Sequence, residues 1–151
     1  MSKMKIKLTE LIASIDGACS GNPGDASIGV VIKDKKGLYQ ETISKYIGQA
    51  TNNVAEYSAL VAALKKAHKL GAQKLFVKSD SELVVKQIKG IYKVKNETLQ
   101  ALNLQALSLI NKFELFTIEH VRREYNKEAD KLAKQAIVEY RRANRVVAAQ
   151  E

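Results

Sequence analysis

The sequence predicts an α/β domain built on a five-stranded mixed sheet, an antiparallel three-strand meander joined to two parallel strands, with helices on both faces. The first fifty residues carry strand-like apolar runs separated by glycine-containing turns. From residue 51 onward, segments of helical period alternate with two short apolar strands. No repeat or low-complexity linker divides the 151 residues. Together these features give the order βββαβααβα, in which the later strands are reached by helical crossovers and must run parallel to their neighbours.

Each element has its own warrant. TELIASIDG, 9–17, brings Leu11, Ile12 and Ile15 into a first strand, and SIGVVIKD, 27–34, follows after a turn. KDKKG is a short hairpin loop leading to GLYQETISKYIG, where Leu38, Gln40 and Thr42 alternate with Tyr39, Glu41 and Ile43. TNNVAEYSALVAALKKAHKLG places Val54, Tyr57, Val61, Leu64 and His68 at steps of three and four, and Gly71 stands at the helix stop. QKLFVKSD is a strand ending in an acid; SELVVKQIKG is a helix from Ser81 to Gly90. After IYKVK, Leu99, Leu102, Ala106, Leu109 and Ile110 predict a helix over 96–111. FELFTIEHVRRE is the fifth strand. The last helix opens with Asn126 as its expected N-cap, gathers Ala129, Leu132, Ala133, Ala136, Ile137 and Tyr140 on one face, and is expected to fray at its far end.

Composition narrows the function. With 46% hydrophobic and 27% charged residues, the chain is expected to form a single domain over 1–151, its core at about 8–140 and a basic helix end at 141–151. A net charge of +9 favours a polyanionic partner, since lysines and arginines release counterions when they neutralise phosphates. The single Cys19 excludes an internal disulfide, and neither a signal peptide nor a membrane span is expected. A cytoplasmic monomer is the expectation.

In open α/β sheets the site lies beyond the carboxyl ends of the parallel strands. Four acids point there. Asp16 is on the first strand, Asp80 ends the fourth, Glu56 is in the first turns of the long helix, and Asp130 is in the first turn of the last. Taken singly, each has a structural explanation as a turn cap or a complement to a helix dipole. Together they repel one another, and such a cluster is costly unless cations occupy it. Hard oxygen ligands suit Mg²⁺ or Mn²⁺, and the His and Cys spacings of a zinc site are absent.

In this setting IDGACSGNPG, TNNVAEYSAL, VKSDSELVV and NKEADKLAKQA resemble the four carboxylate motifs of ribonuclease H type 1, in order and over roughly residues 11 to 140. The resemblance implies the ribonuclease H-like fold and two-metal hydrolysis of the RNA strand of an RNA–DNA hybrid, giving 5′-phosphate and 3′-hydroxyl ends. Asp16, Glu56, Asp80 and Asp130 would be both catalytic groups and metal ligands for two divalent ions, Mg²⁺ or Mn²⁺. Asp16 would bridge the ions. Gly17, Cys19, Asn22, Asn52 and Glu82 match positions that read the minor groove and its 2′-hydroxyls, and Thr51 matches a phosphate pocket for the DNA strand. The threonine and asparagines could equally cap helices.

Three departures from the family pattern stand out. The loop between the fifth strand and the last helix, VRREYNKEAD, has no histidine and supplies Arg123 and Glu124 as auxiliary candidates. Neither His68, on a helix stripe, nor His120, within a strand, replaces it. Only IYKVK stands where some members carry a basic protrusion helix, and Glu82 stands where others have glutamine. Two alternatives stay open: activity extending to double-stranded RNA, and a non-catalytic hybrid-binding module on the same fold.

Overall fold

Strand pairing begins with a tight hairpin in a computed structural model that describes residues 8–150. β1 (Glu10–Gly21) pairs antiparallel with β2 (Gly24–Asp34), and β2 with β3 (Gln40–Ala50). β1 is longer than expected because the turn is only Asn22–Pro23. At Gly21 φ is +90°, and a Cβ on Gly24 would sit 2.0 Å from the Ser20 carbonyl oxygen, so glycine is required on both sides of the turn. β3 starts later than expected, since the Asp34 side chain accepts from the Tyr39 amide and holds Tyr39 in the connecting loop.

Helix α1 (Asn52–Lys69) leads to β4 (Lys74–Ser79), which runs parallel to β1. The short α2 (Glu82–Ile88) and α3 (Glu97–Ile110) return the chain to β5 (Leu115–His120), parallel to β4. A 3₁₀ turn at Arg123–Tyr125, absent from the sequence expectation, precedes α4 (Lys127–Gln150). The strand order is β3-β2-β1-β4-β5. The mixed sheet, its meander and its two parallel strands are therefore as the sequence implies.

The core lies between the sheet and α1. Leu11, Ala13 and Ile15 of β1 and Ile28, Val30 and Ile32 of β2 pack with Tyr57, Leu60 and Leu64. Within this apolar layer the Tyr57 hydroxyl donates to Gln87 at 2.7 Å and accepts from Asn103 at 3.2 Å, one satisfied network joining α1, α2 and α3. His68, expected on the packed stripe, is exposed and only meets the Phe113 ring edge-on.

On the opposite face α4 touches the sheet backbone to backbone. A Cβ on Gly29 would lie 2.0 Å from the Ala129 carbonyl oxygen and 2.7 Å from the Ala133 amide nitrogen. Ser27 and Ser44 donate to the Ala133 and Leu132 carbonyls. Farther along, the Tyr46 and Tyr140 rings stack at 3.6 Å, and Arg141 bridges Asp25 at 3.1 Å. These anchors, followed by good helix formers such as Ala and Arg, carry the helix to Gln150 in place of the expected fraying.

Gly29→Ala is expected to destabilise the chain by about 1–3 kcal/mol or more, since the new methyl must push α4 off β2. Chemical denaturation measures this; an unchanged midpoint would show that the helix seat tolerates a side chain.

Candidate active site

Ile15 pairs with Ser79 in the last parallel rung of β1 and β4, so Asp16 and Asp80 are the next residues on neighbouring strands. The second wall is α1. A Cβ on Gly17 would lie 2.4 Å from the Ala55 carbonyl carbon, so the helix start sits directly on the strand. This contact brings the Gly17 amide to Glu56, donating to Oε1 at 2.6 Å. Oxygens of Asp16, Glu56 and Asp80 thereby come within 4.8 Å of one another.

The fourth acid arrives on α4. Asn126 stands at the N-cap position of α4, its carbonyl accepting from the Asp130 amide at 3.1 Å, and its side-chain amide reaches across to donate to the Ile15 carbonyl at 2.8 Å. Asp130 lines the same cavity as Asp16, Glu56 and Asp80, about 260 Å³ in volume, with Arg123 and Lys134 beside it.

Electrostatics follow from crowding. Burial first, then the Glu56, Asp80 and Asp130 carboxylates, push Asp16 up to about 10. Burial raises Glu56 to about 7, against hydrogen bonds from Asp16 and Gly17 that favour its ionised form. For Asp130 burial also works upward, but Lys134, hydrogen-bonded to it, and Asp16 hold it below the ordinary carboxylate range. Glu56 Oε2 is buried and has no hydrogen-bond partner. An all-oxygen donor set with one orphaned buried oxygen, destabilised by mutual repulsion, fits hard divalent cations.

The remaining candidates separate into groups. Gly17, Cys19 and Asn52 line the acid cavity. The Cys19 thiol donates to the Ala50 carbonyl at 3.1 Å, and the Asn22 side-chain oxygen accepts from the Asn52 amide at 3.0 Å, so these groups form one surface between hairpin and helix. Thr51 caps α1 by accepting from Val54 at 3.3 Å. Glu82 is held by Lys86 at 2.6 Å. Arg123 lies at the cavity with Nε 4.0 Å from Asp80, whereas Glu124 pairs with Arg122 at 3.7 Å and lines a separate hollow below Val31 and Tyr125.

Two residues near the acids escaped the sequence-based selection. Lys134 pairs with Asp130 at 3.0 Å, a spacing of four that was legible as a helical ion pair. His120, set aside as a strand residue that does not replace the loop histidine, lies with Nε2 3.2 Å from the Asp80 carbonyl; only the β4–β5 register reveals that contact.

Residues 14–136 match the family model described as reverse transcriptase-like. A bifunctional protein of Mycobacterium tuberculosis is 42% identical over 130 residues, 85% of this chain and 35% of that protein. Ribonuclease HI of Halobacterium salinarum is 39% identical over 125 residues, 83% of this chain and 63% of the relative. The chain thus spans about a third of the length of the first curated relatives it matches. Among solved structures, LC11-RNase H1 in complex with an RNA/DNA hybrid superposes with a TM-score of 0.79 at 39% identity, covering 86% of this chain and 98% of the other.

A carboxyl group whose pKa is raised on folding favours the folded state most below its ordinary value and loses that contribution as pH rises toward the folded value. For Asp16 the window runs from 3.8 to about 10. In EDTA, Asp16→Asn is therefore expected to raise the thermal midpoint over the unsubstituted chain by a margin that grows from pH 5 to pH 9. Scanning calorimetry across that range checks it; a margin independent of pH contradicts the crowding.

Proposed function

This chain belongs to the ribonuclease H family, and we propose that it hydrolyses the RNA strand of RNA–DNA hybrids with two divalent ions, Mg²⁺ or Mn²⁺, leaving 5′-phosphate and 3′-hydroxyl ends. The observation that carries this reading is the convergence of Asp16, Glu56 and Asp80 within 4.8 Å, with Asp130 on the same cavity. A relative at 39% identity has been seen with an RNA/DNA hybrid, which supports the substrate class.

When bound, such ions activate an attacking water and neutralise charge on the departing oxygen. The chain's part is to hold and orient. Asp16, close to Glu56 and Asp80 and on the same cavity as Asp130, is the central carboxylate of the set. Glu56, Asp80 and Asp130 would hold the ions together with it. The Gly17–Glu56 contact and the Asn126 tie keep these groups from spreading apart under their own repulsion. Arg123, 87% exposed and next to Asp80, can meet a phosphate without reorganising the acids.

Substrate recognition would fall to the surface between hairpin and α1. Gly17, Cys19, Asn22 and Asn52 form its floor beside the acids and are our minor-groove contacts, with Thr51 facing a phosphate of the DNA strand and Glu82 at the margin. Glu82 would first have to release Lys86. The +9 charge supports a backbone-dominated grip. All four acids come from one chain, which supports a catalytic monomer and a single functional domain. The free Cys19 thiol suits the reducing cytoplasm we assign to it.

The decisive experiment compares labelled hybrid, double-stranded RNA, double-stranded DNA and single-stranded RNA, with Mg²⁺, Mn²⁺ or EDTA. Cutting of the RNA strand of the hybrid, dependent on a divalent ion, is expected; full activity in excess EDTA refutes the proposal. Asp16→Asn should lower turnover by roughly three orders of magnitude, about 4 kcal/mol in barrier, while metal-free hybrid affinity stays equal or rises, because asparagine keeps the neutral form that the raised Asp16 pKa favours and cannot take on a negative charge as pH climbs. Affinity should fall steeply with salt, and a Kd unchanged between low and moderate salt would contradict a phosphate-based grip.

A further inference from the structure

Two cations line the acid cavity, and they are held differently. Arg123 reaches Asp80 only at 4.0 Å, from the flexible end of an exposed side chain. Lys134 lies one helical turn beyond Asp130 on α4, and its ammonium is 3.0 Å from Asp130 Oδ2. Among the described residues, Lys134 is the one cation within ion-pair distance of Asp130. Its carboxylate partner, 25% exposed, faces the cavity, while Lys134 itself is 68% exposed and can swing away at little cost.

We propose that Lys134 is a resident counter-cation of the acid cluster, competing with a divalent ion for Asp130 and so setting how much free ion the site requires. This rests on the hydrolase reading of the same cavity. A divalent ion approaching Asp130 meets an ammonium already on one oxygen and is repelled by it. The displaced ammonium stays at the cavity mouth, where a phosphate of the hybrid would arrive. Lys134 therefore acts with opposite signs on two ligands: it weakens ion binding and strengthens hybrid binding. Toward the ion it is a positioning residue, acting through Asp130; toward the hybrid its ammonium acts directly.

Manganese binding to the whole chain, followed by electron paramagnetic resonance at low ionic strength, reads the first effect without any turnover. Lys134→Gln, which keeps length and helix propensity, should fill with Mn²⁺ at about two- to five-fold lower free ion, and Lys134→Arg should stay close to the unsubstituted chain. Lys131→Gln, on the same helix but outside the cavity, controls for general charge and should shift less than Lys134→Gln. In metal-free buffer Lys134→Gln should bind hybrid about two- to five-fold more weakly. Adding salt should shrink the manganese difference, since the Lys134 side of the pair is open to solvent. A Lys134→Gln isotherm superimposed on that of the unsubstituted chain overturns the proposal, as does an equal shift in Lys131→Gln. Absence of bound Mn²⁺ in the unsubstituted chain instead overturns the hydrolase reading beneath it.

Discussion

Mutual repulsion among carboxylates is the constraint on which this structure turns. Three acids with oxygens inside 4.8 Å, and a fourth on the same cavity, would drive their supporting elements apart if those elements were free to move. They are not free. β1 and β4 are locked in parallel register up to Ile15 and Ser79, α1 lies on Gly17, and α4 lies on Gly29. At both glycines the neighbouring backbone occupies the space a methyl group would need. Close packing thus holds in place what electrostatics opposes; burial first, and crowding after it, raise Asp16 and Glu56, and Glu56 keeps an orphaned oxygen.

The same packing explains how much of the fold could be read in advance. Element order and the parallel sense of the later strands followed from hydrophobic period and from the rule that crossover-linked strands run parallel, whereas the seat of β4 beside β1 came only with the fold. The four acids were legible because Asp80 ends a strand, Glu56 and Asp130 sit in the first turns of helices, and Asp16 stands just before a glycine-rich turn. Less legible were features decided by a partner distant in sequence. Asn126 had every local mark of a helix cap and stands at that position, but nothing local foretold that its amide would also reach the Ile15 carbonyl, 111 residues away. Gly29 lay in a strand with no local reason to be glycine; the reason is the Ala129 backbone.

The cations show the same limit. Arg123 attracted notice because it stands where a histidine was expected, although Glu124 next to it turns to Arg122 and leaves the cavity. Lys134 was one of many lysines in a basic chain and was marked only by its spacing from Asp130. Helical geometry gives that spacing its meaning once the acid is known to face a cavity. Absence of a histidine in the loop does not leave the acids without positive company: one cation stands at Asp80 and another at Asp130.

The Asn126 tie also bears on the order of events during synthesis. Asp16 belongs to the first strand, but its companion Asp130 and the Asn126 amide that ties this strand to α4 come more than a hundred residues later, so the acid set is incomplete until the start of α4 has been translated. Local contacts such as the β1–β2 hairpin can form early, whereas this closure waits on a long loop and comes late. A nascent chain still lacking α4 therefore lacks a complete acid set, and assembly of the centre coincides with completion of the fold.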